Sequence, residues 1–569
     1  MQLTDAEKKN ASAHLRETLK KPPLVCAGAA LMVCSLYIWE IRVWPHSLLR
    51  LSAREYAFAA DGMDMAGYVA AALGIFNGSW PNDAFYQAPL YPFALAPFLS
   101  LWPQTLCAAV LNILFFAGTV FLAAVIAERA FGRAAGYACG ALLILYGGYV
   151  FLTAVPLGAV SEAFFGTLAF YFILRLRDKF ACGWAAAAGF AGALAALSRP
   201  NFLLVCPAVI FLVCLESALK TKDFRRAGTA LALAAAFFAA GIAPAVIWNN
   251  SRPESKGFAL VNTNGWPTYV LCNSRDSDVF NYHHPKKPLM SPLSWEFWRH
   301  QMRKAAGFWR SAEYPQNVCF YLYRENSFIL RALFVSFGAM GALFIGSLVW
   351  SLPRMRERWI FFAYPGLFFL TVAAYYIIGR FRTPAVPAMA VPAGAFLIFL
   401  AGGLFRLVTG RGADRYLPPA AAAALAVFIL SKPFETLILP KYHLINAGQS
   451  LRALDPAGHS AAMLEYIRMV PGDSFEAGIF AASRAFQDDV KTARAVTERQ
   501  LAREKDEKLR ARLEDTLTEI SAMEARDLSL WRAMIERGET KGFIKELYFT
   551  TLDIMRKRES AGLPALPGK

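Results

Sequence analysis

Long apolar runs recur along most of this chain, and they leave it few ways to fold. A backbone in hydrocarbon must satisfy its own hydrogen bonds, so a run of about 20 apolar residues crosses a bilayer as a helix. About eleven such segments can be read, near 24–44, 104–127, 134–153, 159–174, 183–198, 201–219, 227–248, 328–351, 359–378, 383–405 and 416–437. A hydrophobic fraction of 56% over 569 residues, with mean hydropathy +0.35, fits an all-α polytopic membrane protein rather than a soluble enzyme.

Orientation follows from the loops between these runs. Lys8, Lys9, Arg16, Lys20 and Lys21 precede the first run. Alternate loops are basic as well: Arg129 and Arg133; Arg175, Arg177 and Lys179; Lys220, Lys222, Arg225 and Arg226; Arg354, Arg356 and Arg358; Arg406, Arg411 and Arg415. The positive-inside rule then predicts a cytoplasmic N-terminus and puts about 45–103, 249–327 and the tail after 438 outside. The first run has charges before it but no small-residue cleavage site after it, which reads as a retained anchor. The net charge of +17 belongs mostly to the cytoplasmic loops, where attraction to anionic lipid headgroups accounts for it. Nothing points to nucleic acid.

The two external segments are too long to be plain connectors. Met63 to Phe76 has helix-compatible composition and is stopped by Asn77-Gly-Ser-Trp-Pro. This predicts a helix along the interface, with Trp80, Phe85, Tyr86 and Tyr91 at headgroup depth. WEFWRHQMRKAAGFW, residues 295–309, predicts a second interfacial helix. The chain thus divides into a membrane domain, 1–437, and a polar, helical, extracytoplasmic tail, 438–569. The tail contains a highly charged stretch near 484–526 and looks like degenerate helical-hairpin repeats, without a fixed period. Seven of the nine cysteines lie in or next to apolar runs. Cys272 and Cys319 lie in the second external segment, where an oxidising compartment allows them to pair. His283 and His284 lack acidic or cysteine neighbours and make a weak metal signal.

Several ionisable residues converge on the external side. Asp61 and Asp64 follow the first span in AADGMDMAGY, and Glu162 opens the fourth span in AVSEAFF. Arg199 sits at a tight turn in ALSRPNF, and Arg380 and Arg382 at another in YIIGRFRTPAVP. Carboxylates at a membrane boundary are costly and mark function by default. Guanidinium groups bind phosphate through a planar fork, and a nearby carboxylate can deprotonate an attacking hydroxyl or amine. Asp64 is the preferred base, with Asp61 as support or alternative and Glu162 as a further acidic candidate. Arg380, Arg382 and Arg199 are the phosphate-binding candidates. The carboxylates suit a divalent metal ion or can act without one, and the sequence leaves both open.

The order of these motifs resembles the GT-C superfamily of polyprenyl-phosphate-dependent glycosyltransferases, in particular family 39 and its aminoarabinose-transferase-like relatives. The resemblance covers roughly 24–405. It rests on DGMDMAGY, FYQAPLYPF, SEAFF, LSRPNF, NTNGWPTYVLCN at 262–273 and GRFRTPAVP at 379–387. It implies a GT-C-like bundle with external interfacial helices in a bacterial inner membrane, its active site facing away from the cytoplasm. It also implies a sugar donor carried on undecaprenyl or dolichyl phosphate, transfer with inversion, and a protein, lipid or glycan acceptor. By motif position the resemblance makes Asp64 the catalytic carboxylate, with Arg380 and Arg382 near the donor phosphate. Asn264, Tyr269, Tyr86 and Gln87 are candidates to line the sugar pocket. This chain departs from relatives with an adjacent Asp-Glu pair, having Asp61-Gly-Met-Asp64 instead. Other readings of the same residues are a polymerase or ligase using a diphosphate-linked donor, a lipid-linked-sugar transporter, and a non-catalytic scaffold.

Overall fold

The computed structural model describes residues 21–43, 64–79, 83–101, 104–252, 257–277, 279, 287–315, 319–325, 327–375, 377–410, 414–431, 443, 447, 456–469, 474–487, 489–524, 542–544, 547 and 550. The chain forms two compact units. One comprises 1–42 with 62–433, the other 43–61 with 434–569. Both are helical. Among the described residues the extended pairings are isolated bridges, Tyr146 with Val335 and Ser274 with Leu289.

Six helices of the first unit are long and apolar enough to cross a membrane: Pro22–Ile41, Leu106–Phe131, Ala159–Asp178, Phe202–Thr221, Phe224–Asn250 and the run Gly379–Val408. This is a multi-pass membrane protein. The other five expected spans contain shorter helices, so the count of about eleven is matched by six long ones. The run 134–153 shows why. Tyr146 is extended and divides it into Arg133–Leu145 and Gly147–Leu152. The expected 328–351 span likewise divides into Phe328–Ala332 and Phe337–Ser351, with Val335 donating its N–H to the Leu145 carbonyl between them.

Small residues let these helices touch. A Cβ on Gly189 would collide with the Ala234 carbonyl, and one on Gly241 would meet the Ala193 side chain at 2.5 Å. The helices Cys182–Ser198 and Phe224–Asn250 therefore pack backbone to backbone, as helices do in lipid where close contact replaces the hydrophobic drive. Val386–Val408 approaches Arg133–Leu145 in the same way, a Cβ on Gly394 falling 2.6 Å from the Cys139 backbone nitrogen. Gly132, at φ 95°, makes the turn between Gln104–Phe131 and Arg133–Leu145.

Helix starts are set by polar caps. Asp223, Ser294, Ser327 and Ser336 each accept from a backbone N–H in the first turn that follows. Glu40, buried on the first span, accepts from the Ser327 hydroxyl and from the backbone N–H groups of Phe328 and Ile329. A carboxylate inside a span is thus satisfied by the positive end of another helix.

The two segments expected to lie outside hold the helices Asp64–Phe76, Leu90–Leu95, Gly265–Asn273 and Trp295–Phe308. Trp295–Phe308 is amphipathic, exposing Trp295 and Trp298 while burying Phe297, His300, Lys304 and Phe308. Two expectations are corrected. Tyr91 does not lie at an outer surface: it is buried edge-on against Tyr68, while Tyr86 is 58% exposed. Cys272 and Cys319 do not form a disulfide with one another. Each is buried in its own setting, Cys272 against Ile378 and Cys319 immediately before the helix Phe320–Glu325. Trp80, Asp61, His283 and His284 lie outside the described residues.

The second unit contains Pro456–Met469, Ser474–Phe486, Val490–Leu501 and Glu507–Glu524. The charged 484–526 stretch is divided at Asp489, which caps Val490–Leu501 through the Thr492 N–H, and again before Glu507. Ala481, Ala485, Ala493, Leu513, Ile520 and Phe543 form its core.

The helix contact at Gly189 gives a direct test. Gly189→Val should lower the thermal unfolding midpoint of the detergent-solubilised protein, with a cost of about 1–3 kcal/mol from overpacking. Gly228→Ala, where a Cβ meets open space, should leave the midpoint unchanged or raise it slightly.

Candidate functional site

Asp64 is the first residue of its helix, where the backbone N–H groups favour a negative charge. Its Oδ1 accepts from Gln87 Nε2 at 2.9 Å, and its Oδ2 is ion-paired with the Arg380 guanidinium. Arg380 lies in the short turn Gly379–Arg382, 316 residues further along the chain. A second pair stands beside the first. Glu162, in the first turn of Ala159–Asp178, accepts from Arg199 Nη1 at 2.6 Å. Arg199 leaves the end of Cys182–Ser198 in an extended conformation, and its Nε donates to Asn201 Oδ1 at 2.9 Å. Both guanidinium groups lie over the Phe381 ring, Arg199 at 4.3 Å and Arg380 at 5.1 Å from its centre. One aromatic side chain therefore orients both cations.

These four charged groups share a cavity of about 820 Å³. Gln87, Tyr68, Asn264, Trp266, Tyr269 and Tyr375 also line it. Tyr68 follows Asp64 by one helical turn and is 7% exposed. Burial, and next the Glu162 carboxylate, push its phenol well above the ordinary range, so it is a neutral donor. The Trp266 and Tyr269 rings stack at 5.6 Å, and Tyr375 meets Tyr269 edge-on at 6.1 Å. They give the cavity an apolar wall opposite its charges.

The wall is fastened from behind. Asn273, at the end of Gly265–Asn273, donates to the Tyr269 and Ala374 carbonyls. Its side-chain oxygen accepts from Gln301 Nε2 at 2.6 Å and Lys304 Nζ at 2.9 Å. Lys304 is fully buried, and the loss of hydration lowers its ammonium to about 8.

Arg382 does not share the cavity with Arg380. It is fully buried and donates to the carbonyls of Phe308 at 3.0 Å, Arg310 at 2.7 Å and Ala312, and to Glu313 at 3.2 Å. Glu313 also accepts from the Tyr146 hydroxyl at 2.6 Å. These Nη bonds are made inside the protein and Arg382 does not line the cavity, whereas the sequence put it with Arg380 near the donor phosphate. Tyr86 is exposed and does not line the cavity.

Sequence reasoning brought Asp64, Glu162, Arg199, Arg380, Gln87, Asn264 and Tyr269 to this one site. It missed Tyr68, although the i, i+4 spacing within DMAGY puts that residue on the face of Asp64. Trp266, Tyr375 and Phe381 carried no separate signal. Among the described residues, no group of three or more His, Cys, Asp or Glu side chains is arranged to hold a metal ion.

No protein-family model and no curated protein sequence matches the chain. Solved structures with a related arrangement of helices include ArnT from Cupriavidus metallidurans bound to undecaprenyl phosphate. That match has 15% identity, 85% of this chain and 81% of that one covered, and a TM-score of 0.44. The apo form of the same protein matches at 17% identity, covering 77% and 74%, with a TM-score of 0.41. The Archaeoglobus fulgidus oligosaccharyltransferase in complex with Zn and sulfate matches at 12% identity, covering 76% and 57%, with a TM-score of 0.40. The likeness is remote, and the chemistry proposed below rests on the site itself.

Two outcomes follow from this geometry. Arg382→Met leaves Glu313 buried without its cation and should cost about 3–5 kcal/mol of stability, measured as lost folded protein in detergent. Arg380→Met, at the cavity wall, should fold normally. For Lys304 the folded-state value lies below the usual 10.5, so the folded protein sheds this proton first as pH rises. Stability should therefore increase from about pH 8 towards 10.5 relative to a Lys304→Met variant, followed by thermal unfolding across that range.

Proposed function

We propose that this protein is a membrane glycosyltransferase that moves a sugar from a polyprenyl-phosphate carrier to an acceptor hydroxyl or amine on the extracytoplasmic side. The observation that carries this reading is the Asp64–Arg380 pair at the wall of a cavity that also holds the Glu162–Arg199 pair. Two carboxylates, each paired with a guanidinium group in one cavity, suit a reaction in which a proton leaves a nucleophile as negative charge builds on a phosphate.

On this reading the donor phosphate binds Arg380 and Arg199, competing with Asp64 and Glu162 for their cations. Asp64, still held by Gln87, then takes the proton of the acceptor. The acceptor atom bonds to the sugar C1 as the bond from C1 to the phosphate oxygen breaks, and the electron pair of that bond leaves with the phosphate. Attack from the face opposite the leaving group inverts the anomeric carbon. The two arginines stabilise the departing phosphate, the electrostatic part of the catalysis. Tyr68 supplies a neutral hydrogen-bond donor between the pairs, and Trp266, Tyr269 and Tyr375 offer flat apolar faces to the sugar. Glu162 holds Arg199 in place, and Arg382 belongs to the scaffold. The motif order supports a GT-C fold with family 39 or aminoarabinose-transferase-like kinship and an undecaprenyl carrier in a bacterial inner membrane.

The test is complementation of a deletion strain with wild type or Asp64→Asn at matched membrane levels, with glycolipids and glycoproteins read by mass spectrometry. A sugar-sized mass restored by wild type and reduced at least about 10²-fold in the variant is the expected result. Equal restoration removes Asp64 as the base. Competition by diphosphate-linked but not monophosphate-linked polyprenyl sugars would favour the polymerase or ligase reading.

A further inference from the structure

A second, smaller cavity lies far from the first and shares no residue with it. Its volume is about 220 Å³, and it opens between the helices Gln104–Phe131, Ala159–Asp178 and Ile360–Ala373. Arg129, Arg175, Asp178 and Tyr171 line it, with Phe361 and Leu174 as an apolar wall. Glu162 and Arg175 belong to the same helix, thirteen residues apart, which at 1.5 Å per residue separates the two sites by roughly 20 Å along the helix axis. The second cavity therefore stands near the opposite end of the membrane unit.

Its charges are incompletely matched. Arg175 Nε and Nη1 are buried without a hydrogen-bond partner among the described residues. The guanidinium stacks over Trp184 at 4.7 Å, which fixes its plane without satisfying its N–H groups. Buried N–H groups of a cation left without an acceptor are costly, so this half-buried guanidinium calls for an anion. The carboxylate at hand, Asp178, lies 4.0 Å from Arg129 in a loose pair that is about half exposed on both sides. Two guanidinium groups against one carboxylate leave the cavity net positive.

We propose that this cavity binds the phosphate of an anionic membrane lipid. Forked N–H donors match phosphate oxygens. The half-exposed Arg129 marks the mouth, and Phe361 and Leu174 offer an apolar surface to the start of an acyl chain. A soluble phosphate has the same headgroup chemistry but no use for that wall.

Native mass spectrometry of the full-length protein, delipidated and titrated with phosphatidylglycerol, phosphatidylcholine or inorganic phosphate, tests the assignment. Wild type should retain one phosphatidylglycerol more than Arg175→Gln, and each of Arg129→Gln and Arg175→Gln should weaken that binding about fivefold. The exposed Arg129 variant keeps the test valid should the Arg175 variant fold poorly. Equal retention by wild type and Arg129→Gln, equal binding of phosphatidylcholine, or displacement of the lipid by millimolar inorganic phosphate would overturn the proposal.

Discussion

A full positive charge sits out of reach of solvent at Arg382, and a large part of one end of the membrane unit is arranged around the oxygens that accept from it. The carbonyls of Phe308, Arg310 and Ala312 all turn towards this guanidinium, which fixes the chain that leaves the amphipathic helix Trp295–Phe308. Glu313 completes the set and draws in Tyr146, the residue that breaks an apolar helix in two. Gly379 makes room for this arrangement, since a Cβ there would reach the Glu313 carboxylate at 2.5 Å. Few side chains other than arginine have enough donors to meet these oxygens in one plane. The turn Gly379–Arg382 is thereby held in position, and with it Arg380, which faces the other way.

That division between neighbouring arginines organises the rest of the site. Arg382, committed to the scaffold, spends both its Nη groups on backbone and carboxylate oxygens. The charges at the cavity are paired with side chains that a ligand can displace. The aromatic wall obeys a similar logic: Trp266, Tyr269 and Tyr375 face the open space, while Asn273 and Lys304 tie their helix down from behind. A cavity of this size keeps its shape only if the elements around it are fastened outside it.

Much of the fold was legible because lipid imposes a simple rule on sequence. Apolar run length located the six long apolar helices, and the helix at 295–308 followed from its Trp-rich amphipathic pattern. Breaks within runs were not legible, because Tyr146 is as apolar as its neighbours and its extended backbone depends on a bridge to Val335, distant in sequence. The site was legible in its charges, which stand out against an apolar chain. What sequence missed was direction. Arg380 and Arg382 look alike in GRFRTP, and only the three-dimensional course of residues 308–313 separates them. Glu40 was invisible for the same reason, its partners being the first N–H groups of a helix nearly 290 residues away.

The larger cavity carries two carboxylates and two guanidinium groups, so its formal charge cancels. Each carboxylate offsets the charge of the guanidinium beside it. On the proposed chemistry, a phosphodiester entering the cavity upsets this balance by one negative charge, while drawing the cations towards itself. The carboxylate left behind then loses its ion pair. Asp64 would be engaged by Arg380 until a donor arrives and released to meet the acceptor once it has, so the order of binding would be written into the ion pair and reset when the lipid phosphate departs.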